Sequence, residues 1–327
     1  MLNGRLTVSS SPHVRSEETV SSIMLDVVIA LCPAMIAAAF YFGFRALIVT
    51  AVTILSCVAA EFAWQKMCKK PVTIKDWSAV VTGILLAFNL PTTVPLWIPI
   101  IGGFFAVIIV KQLFGGLGQN FMNPALAARA FLLASWPTAM TKWIQPMAEM
   151  PLIGNVDVVS TATPLAMIKG TEVAGQVLPS YWELFAGNVG GCIGETSALM
   201  LLLGGAYLLY RRIINWRIPV AFIGTVALFT FIFGRNGFFT GDPIYHVLSG
   251  GLILGAFFMA TDYASSPVTP KGQLIMGVGC GLLTAIIRLY GGYPEGVSYS
   301  ILLMNIVTPL IDRYTAPVKF GEVKASA

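Results

Sequence analysis

Residues 23–42 read IMLDVVIALCPAMIAAAFYF, and residues 46–65 read ALIVTAVTILSCVAAEFAWQ. Each stretch carries a single charged residue, Asp26 in the first and Glu61 in the second. About 20 apolar residues in a row are what a helix needs to cross the hydrocarbon core of a bilayer. Beyond this pair, the same criterion predicts further spans near 78–90, 95–113, 123–136, 190–209, 218–234, 243–260, 272–290 and 297–311. That makes ten in all. The composition agrees: 56% of the 327 residues are hydrophobic and only 11% are charged, and the mean hydropathy is +0.79. A soluble domain is roughly 25% charged. A chain this poor in charge cannot cover a water-facing surface, which excludes a soluble enzyme, a nucleic-acid binder and a disordered protein. The net charge of +5 is small and dispersed, so no nucleic-acid partner is expected.

Lys and Arg set the orientation. With the N-terminus in the cytoplasm, 14 of the 20 basic residues fall inside and five outside, while Arg129 lies within a span. This predicts a multi-pass protein of a prokaryotic cell membrane with both termini cytoplasmic. The expected organisation is a tail at 1–22, a first membrane repeat at 23–136, an outer segment at 137–189, a second repeat at 190–314 and a tail at 315–327. No cleavable leader is visible in the polar residues 1–21.

Two repeats are indicated by matched glycines. Gly83-Ile84-Leu85-Leu86-Ala87 is followed by a turn, an apolar span and Gly115-Gly116. Gly251-Leu252-Ile253-Leu254-Gly255 is followed by a turn, an apolar span and Gly291-Gly292. Five spans per copy is odd, so the second copy enters from the opposite side. The fold class expected is an all-α membrane protein of two inverted repeats, an arrangement in which broken spans build a site near the midplane. Spans 78–90 and 123–136 are too short to cross alone. Asn123-Pro124 reads as a helix start, with an N-cap residue and then proline at the first helical position.

Arg129 lies in the second short span. A cation there is costly, so it faces either a carboxylate on another helix or a polar ligand. Glu195 and Asp262, at span ends, are candidates for an ion path. Glu61 is expected to reach towards Lys66. The five cysteines form no CxxC and no Cys/His spacing, and no metal ligand set is assigned.

One outer motif suggests chemistry: Asp157-Val158-Val159-Ser160-Thr161-Ala162-Thr163-Pro164. Pro164 pushes Thr163 towards an extended backbone. Ala162 keeps one side of it free of bulk, and Asp157 and Ser160 are placed to orient the acceptor or to hold a metal of a modifying enzyme.

Three stretches carry a resemblance over nearly the whole chain: Gly115 to Leu126, Asp157-x-x-Ser160-x-Ala162-Thr163, and Gly194 to Leu199. On these the sequence resembles the NqrB/RnfD family, which includes RnfD of the Rnf complex and, more distantly, NqrB of the sodium-pumping NADH:quinone reductase. The resemblance implies ten helices in two inverted repeats. It also implies FMN joined by a phosphoester to the last threonine of the motif, here Thr163, by a flavin transferase that uses FAD as donor. Thr161 stands where the family often has glycine. Asn120, Asn123 and Arg129, in and beside the first stretch, are further candidates for cofactor contact. One branch of the family additionally binds riboflavin without a covalent bond. Family members pass electrons between reduced ferredoxin and NAD, coupled to Na⁺ or H⁺ movement. The iron–sulfur and NAD sites lie on partner subunits, and no GxGxxG fingerprint stands here in a βαβ context. The rival from another class is a secondary transporter or channel, since inverted repeats and broken helices suit solute passage as well.

Overall fold

The computed structural model describes residues 18–148, 151–152, 161–170, 178–234 and 237–317. They are predominantly helical. The first helix, α1 (Val20–Met67), starts on a capping box in which Thr19 and Ser22 satisfy each other's backbone amides. At Gly43 the backbone turns to φ 67°, ψ −167°, which breaks α1 into two halves. Only glycine adopts that conformation without strain, so the two predicted spans are a helical hairpin. Their far ends meet again: Ser21 Oγ donates to Lys75 O, and Gln65 Nε2 donates to Thr73 Oγ1 in the same loop.

The chain continues through α2 (Ser78–Phe88), α3 (Trp97–Phe104), a π-helical continuation at Phe105–Gln112, α4 (Pro124–Ser135) and α5 (Pro137–Met140). Then come α6 (Pro164–Ile168), α7 (Tyr181–Ala186), α8 (Ala198–Tyr210) and α9 (Arg217–Ile232). A two-stranded antiparallel turn pairs β1 (Phe233–Gly234) with β2 (Gly237–Phe238). The remaining helices are α10 (Pro243–Leu248), α11 (Leu252–Leu254) with a π turn at Gly255–Met259, α12 (Pro270–Tyr290) and α13 (Val297–Thr315).

Two of these helices, α1 and α12, are long and apolar enough to cross a membrane; α2, α4, α8, α9 and Trp97–Gln112 are shorter and apolar. Helices α2, α3 and α8 pack around α1, the last of them from the second half of the chain, and α9 and α13 pack around α12. Large apolar side chains cover the outside of α1, with Ile36, Phe40 and Phe44 at 67–75% exposure. An exposed apolar surface of this kind fits hydrocarbon rather than water.

Two predicted spans are corrected. Residues 243–260 are not continuous: Ser249–Gly251 leave the helix, with Gly250 at φ +67°, separating α10 from α11. Residues 190–197 are not helical in the α sense. Cys192 precedes a single 3₁₀ turn at Ile193–Glu195, and α8 begins only where Ser197 caps the Met200 amide. Apolarity alone cannot see either break, because the interrupting residues are small and membrane-compatible. The short spans are as expected: α2 has 11 residues and α4 has 12.

Candidate functional site

Three groups of polar residues are set into this apolar bundle. The first is built around Thr163. Pro164 takes the first position of α6, and Thr163 before it is extended at φ −71°, ψ 153°. Its Oγ1 accepts from Ala166 N at 3.3 Å, as an N-cap. The hydroxyl is therefore present at the expected place, but the residue is only 5% exposed. This hydroxyl is not open to solvent but is tied to the first turn of its own helix. Thr161 hangs from Trp143 O through its amide (2.9 Å), and its Oγ1 is buried without a hydrogen-bond partner. Asp157 and Ser160 lie outside the described residues; Ala162 is half-buried.

Lys169, just after α6, caps the C-terminus of α12: its Nζ donates to Ile287 O (3.1 Å), Gly291 O (2.6 Å) and Tyr293 O (2.7 Å). A cation among the last carbonyls of a helix opposes its dipole. Between α6, α10 and the end of α12 lies a cleft of about 850 Å³, lined in part by Ala166, Tyr245, His246 and Arg288. Tyr245 Oη and His246 Nδ1 are buried without hydrogen-bond partners. Both atoms are turned away from the cleft, which is flanked by the helix that Thr163 begins.

The second group sits where broken helices end. Asn123 caps α4, accepting from Ala125 N and Leu126 N, and donates to Met259 O at the end of the second π turn. Asn89, at the end of α2, accepts from Arg129 Nη1 at 3.0 Å. Arg129 also donates to Ser298 Oγ (2.7 Å) and forms a direct ion pair with Glu295. Glu195 Oε1 lies 3.8 Å from its Nη2. Of the two alternatives open for Arg129, the structure thus displays carboxylate pairing. Sequence reasoning missed Glu295. Its only local signal is an acidic residue between Pro294 and Gly296, just before the start of α13.

The third group lies at the end of the bundle opposite Thr163. A small cavity of about 100 Å³ is lined by apolar residues such as Leu85 and Phe258, with Lys111, Asn120, Asn123 and Asp262 among its polar residues. Asn120 Nδ2 donates to Met122 O, and Asp262 accepts from Ser265 Oγ. Asp262 and Glu195 therefore belong to different groups. Lys111 is buried and paired with Glu61, Nζ to Oε2 at 3.0 Å. This corrects the expectation for Glu61. Lys66 lies instead over the Phe62 ring, 5.6 Å from its centroid.

A sequence profile of the NQR2, RnfD, RnfE family matches residues 7–321. The chain belongs to this family. Among its relatives, the D subunit of the Na(+)-translocating ferredoxin:NAD(+) oxidoreductase complex of Acetobacterium woodii is 58% identical over 98% of this chain and 96% of its own. The D subunit of the proton-translocating ferredoxin:NAD(+) oxidoreductase complex of Clostridium ljungdahlii is 51% identical over 96% of each chain. The D subunit of an ion-translocating oxidoreductase complex of Yersinia enterocolitica is 38% identical over 97% of this chain and 98% of its own. Membership of the NQR2, RnfD, RnfE family makes this a membrane-protein chain, and relatives named for Na⁺ and for H⁺ both align along nearly all of it.

Proposed function

We propose that this chain is the D-type membrane subunit of an Rnf-type ferredoxin:NAD oxidoreductase, relaying electrons through FMN esterified to Thr163 and coupled to Na⁺ or H⁺ movement. The reading extends to ten membrane crossings in two inverted repeats. The termini are then cytoplasmic, and residues 137–189 lie outside. Its support is the order of elements: in each half a short buried helix, Ser78–Phe88 or Leu252–Met259, precedes a longer helix and then one more helix, α4 or α13. Partners are the other Rnf-type membrane subunits, the subunits carrying iron–sulfur and NAD sites, and a flavin transferase that works from FAD.

The single observation that carries the cofactor is the Thr163 hydroxyl at the head of a helix that lines the cleft. A covalently held flavin supplies one- and two-electron redox chemistry, which the protein tethers and tunes. The residues of this chain do the rest. Thr163 Oγ1 would carry the phosphoester. Tyr245, His246 and Arg288 would line the cleft beside it. Lys169 keeps α6 fixed to the end of α12. At the opposite end, Lys111, Asn120 and Asn123 are the polar residues that a second, non-covalent flavin such as riboflavin would meet, and the small cavity there would have to widen to admit it. Glu195 and Asp262 are the proposed ion-handling carboxylates, one in the central group and one in that cavity.

Intact-mass measurement of protein purified from cells that possess the transferase tests this reading. The expected mass is that of the chain plus one FMN phosphoester. It should return to the bare value in Thr163→Ala. A bare wild-type chain overturns the reading and leaves the transporter alternative.

A further inference from the structure

The central group contains one more negative charge than its arginine can neutralise. Glu195, Glu295 and Cys192 each place a side-chain ligand atom within 4.8 Å of the others. The side chains of Arg129, Glu195 and Glu295 are only 4–6% exposed. Arg129 spends its hydrogen bonds on Glu295, Asn89, Ser298 and the Cys192 sulfur. Glu195 Oε1 is left buried with no hydrogen-bond partner, 3.8 Å from the guanidinium.

Among the described residues, the other charged groups around it are committed elsewhere. Arg288, from α12, donates to the carbonyls of His246 and Ser249. On α1, which packs on the Glu195 turn, Asp26 pairs with Arg211, Arg45 donates to the Thr92 carbonyl, and Glu61 pairs with Lys111. From α2, which also packs there, comes the neutral Asn89, and the nearby Tyr293 phenol and Cys192 thiol are uncharged at neutral pH. An unbalanced carboxylate in a dry interior costs several kcal/mol, and two carboxylates sharing one site do not both stay ionised. The charge must be met by a small cation. A hard metal cation takes several oxygen ligands. This group offers two carboxylates and a sulfur beside a guanidinium, a poor set for a metal and a sufficient one for a proton.

We infer that Glu195 and Glu295 share one exchangeable proton beside Arg129, so that the pair takes up and releases a single positive charge. On uptake, hydronium gives its proton to the free carboxylate and leaves water; on release, the O–H bond breaks and the proton returns to water. No electron changes hands. The Arg129–Glu295 ion pair holds the geometry, and Gly251 leaves room at the exchanging oxygen, since a Cβ there would stand 2.9 Å from Glu195 Oε1. The shared proton stands on this geometry. Its use in transport rests on the ion-path part of the function proposed above.

The test is infrared spectroscopy of purified protein titrated in Na⁺-free buffer. The expected result is a protonated-carboxyl C=O band at neutral pH. It disappears in Glu195→Gln and in Glu295→Gln, persists in Asp262→Asn, and is unmoved by added Na⁺ at fixed pH. A band removed by Na⁺ at fixed pH makes the group a Na⁺ site and overturns the proposal. So does the absence of any band that either substitution removes. Should the variants fail to fold, dicyclohexylcarbodiimide labelling of the wild type takes their place, because it marks protonated carboxyls in apolar surroundings. An adduct on Glu195 or Glu295 that fades as pH rises and ignores Na⁺ is expected. An unlabelled pair at every pH, or Na⁺ protection, overturns the proposal. Neither measurement requires flavin, so a chain lacking FMN at Thr163 would sink the electron-relay reading and leave this one standing.

Discussion

Lys111 and Glu61, 50 positions apart in the chain, form a closed ion pair inside the bundle. The ammonium reaches both carboxylate oxygens at 3.2 and 3.0 Å, and both residues are at most 2% exposed. Gln112 Nε2 (2.8 Å) and Gln65 Nε2 (3.2 Å) also donate to Glu61, and Lys111 donates to Ser78 Oγ (2.6 Å). The pair therefore ties the second half of α1 to the π segment and to the start of α2, beside the cavity that Lys111 lines.

Removing one partner strands the other. Lys111→Met should cost about 3–5 kcal/mol, the usual penalty for leaving a buried charge unpaired. The double variant Lys111→Met/Glu61→Met should recover most of that loss, because no charge is then left behind. Thermal unfolding of the detergent-purified protein checks both. A double variant no better than the single one would show that the pair is not a unit.

Thr163→Ala should abolish in-gel flavin fluorescence of the denatured chain, while Thr161→Ala should retain it. Both hydroxyls are covered, but they differ in setting: Thr163 Oγ1 caps α6, whereas Thr161 Oγ1 lies against Gly190 without a hydrogen-bond partner. Full fluorescence in Thr163→Ala would move the attachment elsewhere.

Arg129→Met removes the cation paired directly with Glu295 and the donor to Asn89 and Ser298. Electron transfer in the assembled complex should fall, with covalent flavin content unchanged. Turnover measured beside gel fluorescence reads both, and unchanged turnover would reduce Arg129 to a packing role.

Helix packing gives a paired prediction. A Cβ at Gly83 would lie 2.7 Å from Ile54 Cα, a backbone atom of α1, whereas one at Gly224 meets nothing within 4 Å. Gly83→Ala should lower stability by about 1–3 kcal/mol through overpacking. Gly224→Ala should be neutral or stabilising by about 0.5–1 kcal/mol, since alanine loses less backbone freedom in a helix. Melting temperatures of the two variants compare them directly.

The Glu183 carboxylate is held below the usual range by the backbone N–H and then the hydroxyl of Ser180, in the capping box of α7. A carboxylate whose folded-state value is depressed stabilises above its unfolded value, and the contribution is lost as pH falls through the folded value. Wild type should therefore be more stable than Glu183→Gln at neutral pH. The gap should close on acidification below the ordinary glutamate range, as seen in paired thermal melts across pH.

Whether a feature can be read from the chain depends on the distance over which it is decided. The extended backbone at Thr163 follows from Pro164, one residue away, and the Asn123 cap follows from the sequence Asn-Pro at a helix start. Glu61 shows the opposite. Lys66 stands five residues on, about 140° around the helix at 3.6 residues per turn, and so it faces away, while the true partner comes from another element.

Local backbone chemistry and the length of uncharged runs are enough to make this chain helical and apolar. They also set where its short helices begin, at Asn123-Pro124 and Thr163-Pro164. Which charges meet is a matter of packing. Arg129 finds Glu295, 166 positions on, and Glu195, 66 positions on, because the middle of α4 meets the end of α2, the start of α13 and the turn at Ile193–Glu195. A buried charge takes its partner from whatever the fold brings within a few ångströms, and separation along the chain does not encode that.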